Sequence, residues 1–242
     1  MSQSPATALT PLPARSVVLS LLLGSHPTRM SPAELTRAAE HLGVPATTVR
    51  VALTRAVGAG DLRRVDGGYA LGERLLGRER RQREAVEDAE TPWDGSWEMA
   101  VVVVAGRPGA ERAALRDSLT AYRLAELREG VWTRPANLSR SPAYDRDPVL
   151  STFRAHPAQD AAELAAGLWD LAGWSTRGRE LLSLLAATTR PALRLTVAAH
   201  VVRHLTADPL LPRTLLPRDW PAAELRSAYA AYQAELRTLA RS

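Results

Sequence analysis

Residues 46–71, ATTVRVALTRAVGAGDLRRVDGGYAL, decide the reading of the fold. Val49, Ala52, Leu53, Ala56 and Val57 recur at helical spacing and predict the buried stripe of a helix over about Ala46–Ala59. Gly58 to Gly60 closes that helix. Leu62-Arg63-Arg64-Val65 and Tyr69-Ala70-Leu71 are short strand-forming runs on either side of Asp66-Gly67-Gly68, a strong hairpin signal. Upstream, Ser31-Pro32-Ala33-Glu34 supplies an N-cap, a first-turn proline and a capping-box glutamate. The helix it opens carries Leu35, Ala38, Ala39 and Leu42 on one face and ends at Gly43, leaving Val44-Pro45 as a tight connection. An earlier helix over Ala14–Leu23 stops at Gly24, with Pro27 beyond. Three short helices and a terminal hairpin, in this order, predict a winged helix-turn-helix.

The third helix presents Thr47, Thr48, Arg50, Val51, Thr54 and Arg55 away from its apolar stripe. Hydroxyls near a helix N-terminus and guanidiniums further along are groups that reach phosphates and base edges. Arg63 and Arg64 on the wing are expected to clamp the backbone of double-stranded operator DNA. The bland alternative is a solvated face. Against it, residues 14–80 hold ten Arg and six acids, so +4 of the chain's net +5 lies here.

All 31 basic residues of the 242 are Arg; Lys, Ile and Cys are absent, and Asn137 is the single Asn. This pattern matches GC-rich codon usage, so Arg content alone carries little weight. The absence of Cys excludes disulfides, thiolate zinc sites and a Cys nucleophile, and cytoplasmic localisation is expected. Without Lys there is no GxxxxGK phosphate loop. Ser16 to Gly24 (SVVLSLLLG) is far shorter than the ~20 residues that span a bilayer, so it reads as a buried first helix and no membrane partner is expected.

Working outward, residues 1–13 carry no charged side chain and three Pro, and predict a disordered tail before a winged-helix domain at 14–72. Residues 73–91 read as a solvent-exposed linker helix, with too few apolar positions for a heptad seam. From 92 to 158, a β-branched run over Met99 to Ala105, an amphipathic helix over Ala110–Tyr122, strand-like residues from Arg123 to Arg134 and a further strand near Val149–Phe153 suggest a ferredoxin-like α+β domain. Residues 159–242 read as a helical C-terminal domain, with helices over Asp160–Leu171, Gly178–Thr188, Pro191–Leu205 and Pro221–Arg241. Four Pro in the stretch from Asp208 to Pro221 forbid regular structure while Leu210, Leu211, Leu215, Leu216 and Trp220 call for burial. A Pro-rich strap across a helical surface satisfies both. The fold class expected is therefore multidomain, mainly α with α+β.

These residues carry a resemblance. Trp93-Asp94-Gly95-Ser96-Trp97, Gly130-Val131-Trp132-Thr133-Arg134-Pro135-Ala136-Asn137-Leu138, Leu168-Trp169-Asp170-Leu171, and His200-x-x-Arg203 followed by Asp208-Pro209-x-Leu211-Pro212 and Leu215-Leu216-Pro217-x-Asp219-Trp220-Pro221 resemble the PaaX family, the phenylacetic-acid-degradation repressors of bacteria. Val49 to Arg55 resembles that family's recognition helix. The resemblance implies a homodimeric transcriptional regulator, usually a repressor, released from DNA by an aryl-acyl-CoA thioester such as phenylacetyl-CoA. Where family members often carry Tyr after the Leu-Trp-Asp-Leu helix, this chain has Trp174-Ser175. The central domain also resembles CRISPR-associated ferredoxin-like nucleases, but its first strand ends in Ala105-Gly106-Arg107, without their metal-binding Asp.

Other chemistry is weaker. His200 and His204 stand at i, i+4 with Asp208 just beyond, a possible metal set, but the Glu of a metalloprotease is missing, and a helix-terminal His pair that packs is the preferred reading. No nucleophile elbow accompanies the Ser, His and Asp residues, so neither enzyme activity nor a cofactor is expected. An acyl-CoA would need an apolar slot and Arg for its phosphates, and Trp132, Arg134, His200 and Arg203 are the residues expected to supply them. Two alternatives stand beside the regulator: a winged-helix protein-interaction module without specific DNA binding, and a metal-dependent nuclease in the central domain.

Overall fold

The computed structural model describes residues 9–25, 28–86, 92–140 and 143–241. In chain order its elements are α1 (Ala14–Leu23), β1 (Arg29–Met30), α2 (Pro32–His41), α3 (Ala46–Gly58), β2 (Leu62–Val65), β3 (Gly68–Leu71), α4 (Glu73–Val86), β4 (Trp97–Val102), α5 (Gly109–Ala121), β5 (Ala125–Arg128), β6 (Val131–Pro135), β7 (Leu150–Ala155), α6 (Ala161–Leu168), α7 (Leu171–Ala187), α8 (Pro191–Thr206) and α9 (Ala222–Arg241). The fold is multidomain, mainly α with α+β. The described residues form two compact units: one from Met1–Glu87, Thr176–Ala207 and Pro221–Ser242, the other from Asp88–Ser175 and Asp208–Trp220. Among the described residues, no helix is long and apolar enough to cross a membrane.

In the first unit, α1, α2 and α3 pack on one another and are followed by the β2–β3 hairpin, the element order expected of a winged helix-turn-helix. The capping box is formed: Ser31 Oγ accepts from the Glu34 amide (3.2 Å), and Glu34 Oε2 accepts from the Ser31 amide (2.7 Å). Both α2 and α3 end in a Schellman motif. Val44 N donates to Ala39 O (2.8 Å) and Gly43 N to Glu40 O (2.9 Å); Asp61 N donates to Ala56 O and Gly60 N to Val57 O, both 3.0 Å. The glycines at the turn positions hold φ of +80° (Gly43) and +73° (Gly60), a conformation that costs other residues Cβ strain. A third strand escaped the sequence reading: β1 pairs with β3 through Arg29↔Ala70 and Met30↔Tyr69, and two residues are too few to show a period.

The stretch expected as a solvent-exposed linker helix is helical over Glu73–Val86 and packs on α8, with Glu79 buried and accepting from Arg83 (3.3 Å); residues 87–91 lie outside the described set. α2 packs on α9, where Arg37 Nε and Nη2 donate to the Ala240 carbonyl (3.2 and 3.0 Å) at the negative end of that helix. The expected disordered tail lies outside the described residues up to residue 8; within the rest of it, the Thr10 carbonyl accepts from Thr196 Oγ1 (3.0 Å).

The second unit has a four-stranded antiparallel sheet in the order β5-β6-β4-β7, the ferredoxin-like order, with a single 3-10 turn at Ala143–Arg146 between β6 and β7. Leu115 and Leu119 of α5 pack with Ala100, Leu124, Trp132, Tyr144 and Leu150 as its core. The first strand is shorter than its β-branched run predicts. It pairs from Trp97 to Val102, while Val103 and Val104, expected inside a buried strand, are exposed because the strand-to-strand pairing stops at Val131 and Leu150. The helix boundaries around Leu168-Trp169-Asp170-Leu171 also move: α6 ends at Leu168, and Asp170 Oδ1 accepts from Gly173 N (2.9 Å), so that α7 starts well before Gly178.

The Pro-rich strap belongs to this unit. Leu210, Leu211, Leu215 and Trp220 are buried, Trp220 stacks on Trp174 (4.1 Å, 14°), and the strap meets a helical surface at α6. Its other anchor is the sheet. Arg134 of β6 is fully buried and donates to Pro135 O (3.0 Å), Asn137 Oδ1 (2.9 Å) and Leu210 O (2.9 Å), the last shared with Asn137 Nδ2 (3.0 Å). Burial, helped by the Arg140 charge, lowers its pKa to about 9, so the guanidinium stays charged at neutral pH. Arg134→Met is expected to lower stability by about 2–4 kcal/mol, as charge-assisted bonds at a buried site are lost. Denaturant unfolding would measure the loss, and hydrogen exchange should rise at residues 208–212 while staying unchanged in β2 and β3.

Candidate nucleic-acid interface

On α3, Val49, Ala52, Leu53 and Ala56 are buried and Val57 is half-buried, so the apolar stripe faces the core as its spacing predicts. The remaining residues face water: Thr47, Thr48, Arg50, Val51, Thr54 and Arg55 are all exposed, Val51 to 50%. Thr47, Arg50 or Val51, and Thr54 follow one another at helical spacing along one line, with Thr48 and Arg55 beside it. Thr54 Oγ1 donates back to Arg50 O (3.0 Å), which turns its methyl outward with the Arg50 and Val51 side chains. Pro45 at the N-cap supplies no side-chain cap, so the first-turn N–H groups keep their positive end of the helix dipole available to an anion. Arg63 and Arg64 on β2 are exposed as well. Among the described residues, none of these four guanidiniums is paired with a carboxylate.

What sets the hairpin on the helix is Asp61, between α3 and β2, which the sequence reading missed. It is 3% exposed, accepts from Arg15 Nε (3.1 Å) and Nη2 of α1, and lies 3.9 Å from Arg74 Nη1 of α4. Arg74 Nη1 also donates to Ala59 O (2.8 Å), and the Asp61 carbonyl accepts from Gly72 N (2.7 Å). One buried carboxylate thus ties the end of the third helix and the base of the wing to the helices before and after. The only available signal was an Asp at a helix C-terminus, where the dipole disfavours it unless cations are at hand.

The residues expected at an effector fall in different units. Trp132 lies in the core of the second unit with the Arg116 guanidinium 5.4 Å from its ring centroid, and Arg134 is occupied by the strap as described above. His200 and Arg203 are on α8 of the first unit, where Arg203 joins Arg78 and Arg237 on the wall of a cavity. Partial burial, with the Arg203 and Arg177 charges adding, lowers the His200 pKa. As for the metal reading of the His pair, Asp208 Oδ1 accepts from Leu210 N (3.0 Å), and no group of three or more possible metal-ligating side chains occurs among the described residues.

A three-helix head with a hairpin, a ferredoxin-order sheet and a set of helices contributed by the end of the chain define the class of protein. Three family models match in succession: PaaX-like protein over residues 13–75, the PaaX protein central Cas2-like domain over 90–163, and the PaaX-like protein C-terminal domain over 178–242. The chain belongs to the PaaX family, a family of transcriptional regulators of phenylacetic acid catabolism. Among solved structures it is similar to an uncharacterized protein, Rv0674 from Mycobacterium tuberculosis, at 46% identity and a TM-score of 0.82, over 94% of this chain and 97% of that one. No curated protein matches it.

Two measurements follow from these positions. Asp61→Ala is expected to cost about 1–3 kcal/mol in urea unfolding, because buried hydrogen bonds to a charged acceptor are lost while the exposed Arg15 and Arg74 return to water. Amide exchange across 62–71 should rise with it. For His200, a folded pKa below the ordinary imidazole value means that the unfolded chain takes up its proton first. Its contribution is therefore complete above about pH 6.5 and is lost as the pH falls through the folded pKa. His200→Gln should narrow the difference in Tm between pH 7.5 and pH 5.5.

Proposed function

We propose that this chain is a DNA-binding transcriptional repressor of an aromatic-acid catabolic operon that binds a pseudo-palindromic operator as a homodimer and is released by an aryl-acyl-CoA effector. The observation that carries the reading is the exposed line of Thr47, Arg50, Val51 and Thr54 on α3, flanked by Thr48 and Arg55 and accompanied by the exposed Arg63 and Arg64 of β2. In the winged-helix reading α3 enters the major groove. Its threonines and uncapped N-terminus meet phosphate oxygens, Arg50 and Arg55 reach guanine edges, and Val51 packs on thymine methyls. Arg63 and Arg64 hold the wing against the sugar–phosphate backbone. Family membership supports the regulatory role, and Arg203 is assigned to the effector.

Fluorescence anisotropy on DNA from immediately upstream of the chain's own gene, against scrambled DNA at two salt concentrations, tests this. Arg50→Ala and Arg55→Ala should each cost about 1–3 kcal/mol and relax specificity, whereas Arg63→Ala and Arg64→Ala should weaken all sequences alike and each lower the salt slope by about one. Unchanged operator affinity in both α3 variants would sink the helix assignment.

A further inference from the structure

The wing carries its cations on its strands and none at its turn. Asp66 and Gly67, between β2 and β3, offer one acid and no base, whereas Arg63 and Arg64 stand on β2 and Arg29 on β1. A turn of that composition repels phosphate, so the part of the wing able to grip a polyanion is the sheet itself. Register sorts the three guanidiniums by face. Arg29 and Arg63 both pair with Ala70, one from each side of β3, and directly opposed residues of a sheet share a face. Arg64 is opposite Tyr69, as is Met30, and so belongs to the other face, with the buried Leu62 and Leu71.

Arg29 and Arg63 are both exposed, and among the described residues neither is paired with a carboxylate. Two strand spacings put their Cα atoms about 10 Å apart, with the small Ala70 between them. Like charges held side by side in this way repel one another, and a run of phosphates laid across them removes the repulsion.

The place of Arg29 is fixed by its neighbours. Gly68 of β3 lies so close to β1 that a Cβ there would overlap the Met30 carbonyl, so the approach of this strand to the wing depends on glycine. Immediately after Met30, Ser31 opens α2 through its capping box, which ties the other end of β1 to the helix that precedes α3. Arg29 therefore stands where the wing joins the helix-turn-helix.

We infer that Arg29 and Arg63 form a second contact with the sugar–phosphate backbone of double-stranded DNA, on one face of the wing sheet and distinct from the α3 line and from Arg64. The pair takes phosphates and reads no base. This inference rests on the DNA-binding reading above and adds Arg29, on the strand that the sequence reading missed, to the residues that hold the duplex.

Fluorescence anisotropy of the full chain on upstream and scrambled duplexes, over a series of salt concentrations, tests the pair. Arg29→Ala should weaken both duplexes about fivefold or more and lower the salt slope by about one, and Arg29→Lys should restore the slope, since a phosphate contact needs the charge. Arg128→Ala, which removes an exposed charge from β5 of the second unit, should leave the slope unchanged. Gly68→Ala should weaken both duplexes without removing any charge, with faster amide exchange at residues 29 and 30. Wild-type affinity and slope in Arg29→Ala, while Arg50→Ala and Arg55→Ala lose operator preference, would overturn the pair and leave the α3 reading standing. Dependence on Arg29 and Arg63 with unchanged operator preference in both α3 variants would keep the pair and overturn the α3 reading. An equal fall in slope for Arg128→Ala would reduce the effect to net charge and overturn the pair, and a wild-type chain that binds neither duplex would overturn both.

Discussion

α8 buries a broad apolar stripe along its length, and a helix of that kind has to be covered by other elements. Leu195, Val197, Ala198, Val201, Val202 and Leu205 are all out of water, and burying each of the valines and leucines among them contributes about 1.5–3 kcal/mol. Part of the cover comes from α9, the next helix in the chain, and part from α4, more than a hundred residues earlier in sequence. α2 in turn packs on α9, with Arg37 closing the C-terminal end of that helix. The head of the chain and its last helices therefore share one core. The chamber bordered by α1, α4, α8 and α9 lies within the same arrangement.

A second constraint governs the central unit. A buried guanidinium without a carboxylate has to find other acceptors, and Arg134 finds the carbonyls of Pro135 and Leu210 and the side-chain oxygen of Asn137. Leu210 is held at φ +50° there, and Arg123, whose guanidinium donates to the Asp208 carbonyl, is at φ +62° in the Schellman turn that ends α5. Two non-glycine residues in the left-handed region mark the same contact, so the strap is held firmly enough to keep strained backbone in place. Trp220 on Trp174 and the buried Leu211 and Leu215 supply the apolar part.

Much of this was legible in local patterns. The stripe of Val49, Ala52, Leu53 and Ala56 placed the exposed face of α3 correctly because helical spacing alone separates inside from outside. Ser31 and Glu34 announced their capping box, and Asp66-Gly67 announced the hairpin, because those bonds lie within a few residues of one another. Four prolines among buried leucines described the strap before its anchors were known. Misplaced elements have equally physical reasons. Val103 and Val104 have strand propensity but no strand partners, β1 is too short to show a period, and Asp170, read as part of a helix over Asp160–Leu171, lies between two helices and caps the second.

Sequence by itself determined the helices, the hairpin, the polar line on α3 and the class of fold, since each depends on periodicity, capping or turn chemistry between near neighbours. Tertiary structure alone decided the rest. Asp61 meets Arg15 and Arg74 across the first unit, Tyr229 of α9 meets Gln82 of α4, and Arg78, Arg203 and Arg237 border one chamber although they lie far apart in the chain. Spacing along a chain says nothing about such meetings, because they are set by which buried faces find each other, and that is a property of the packed core.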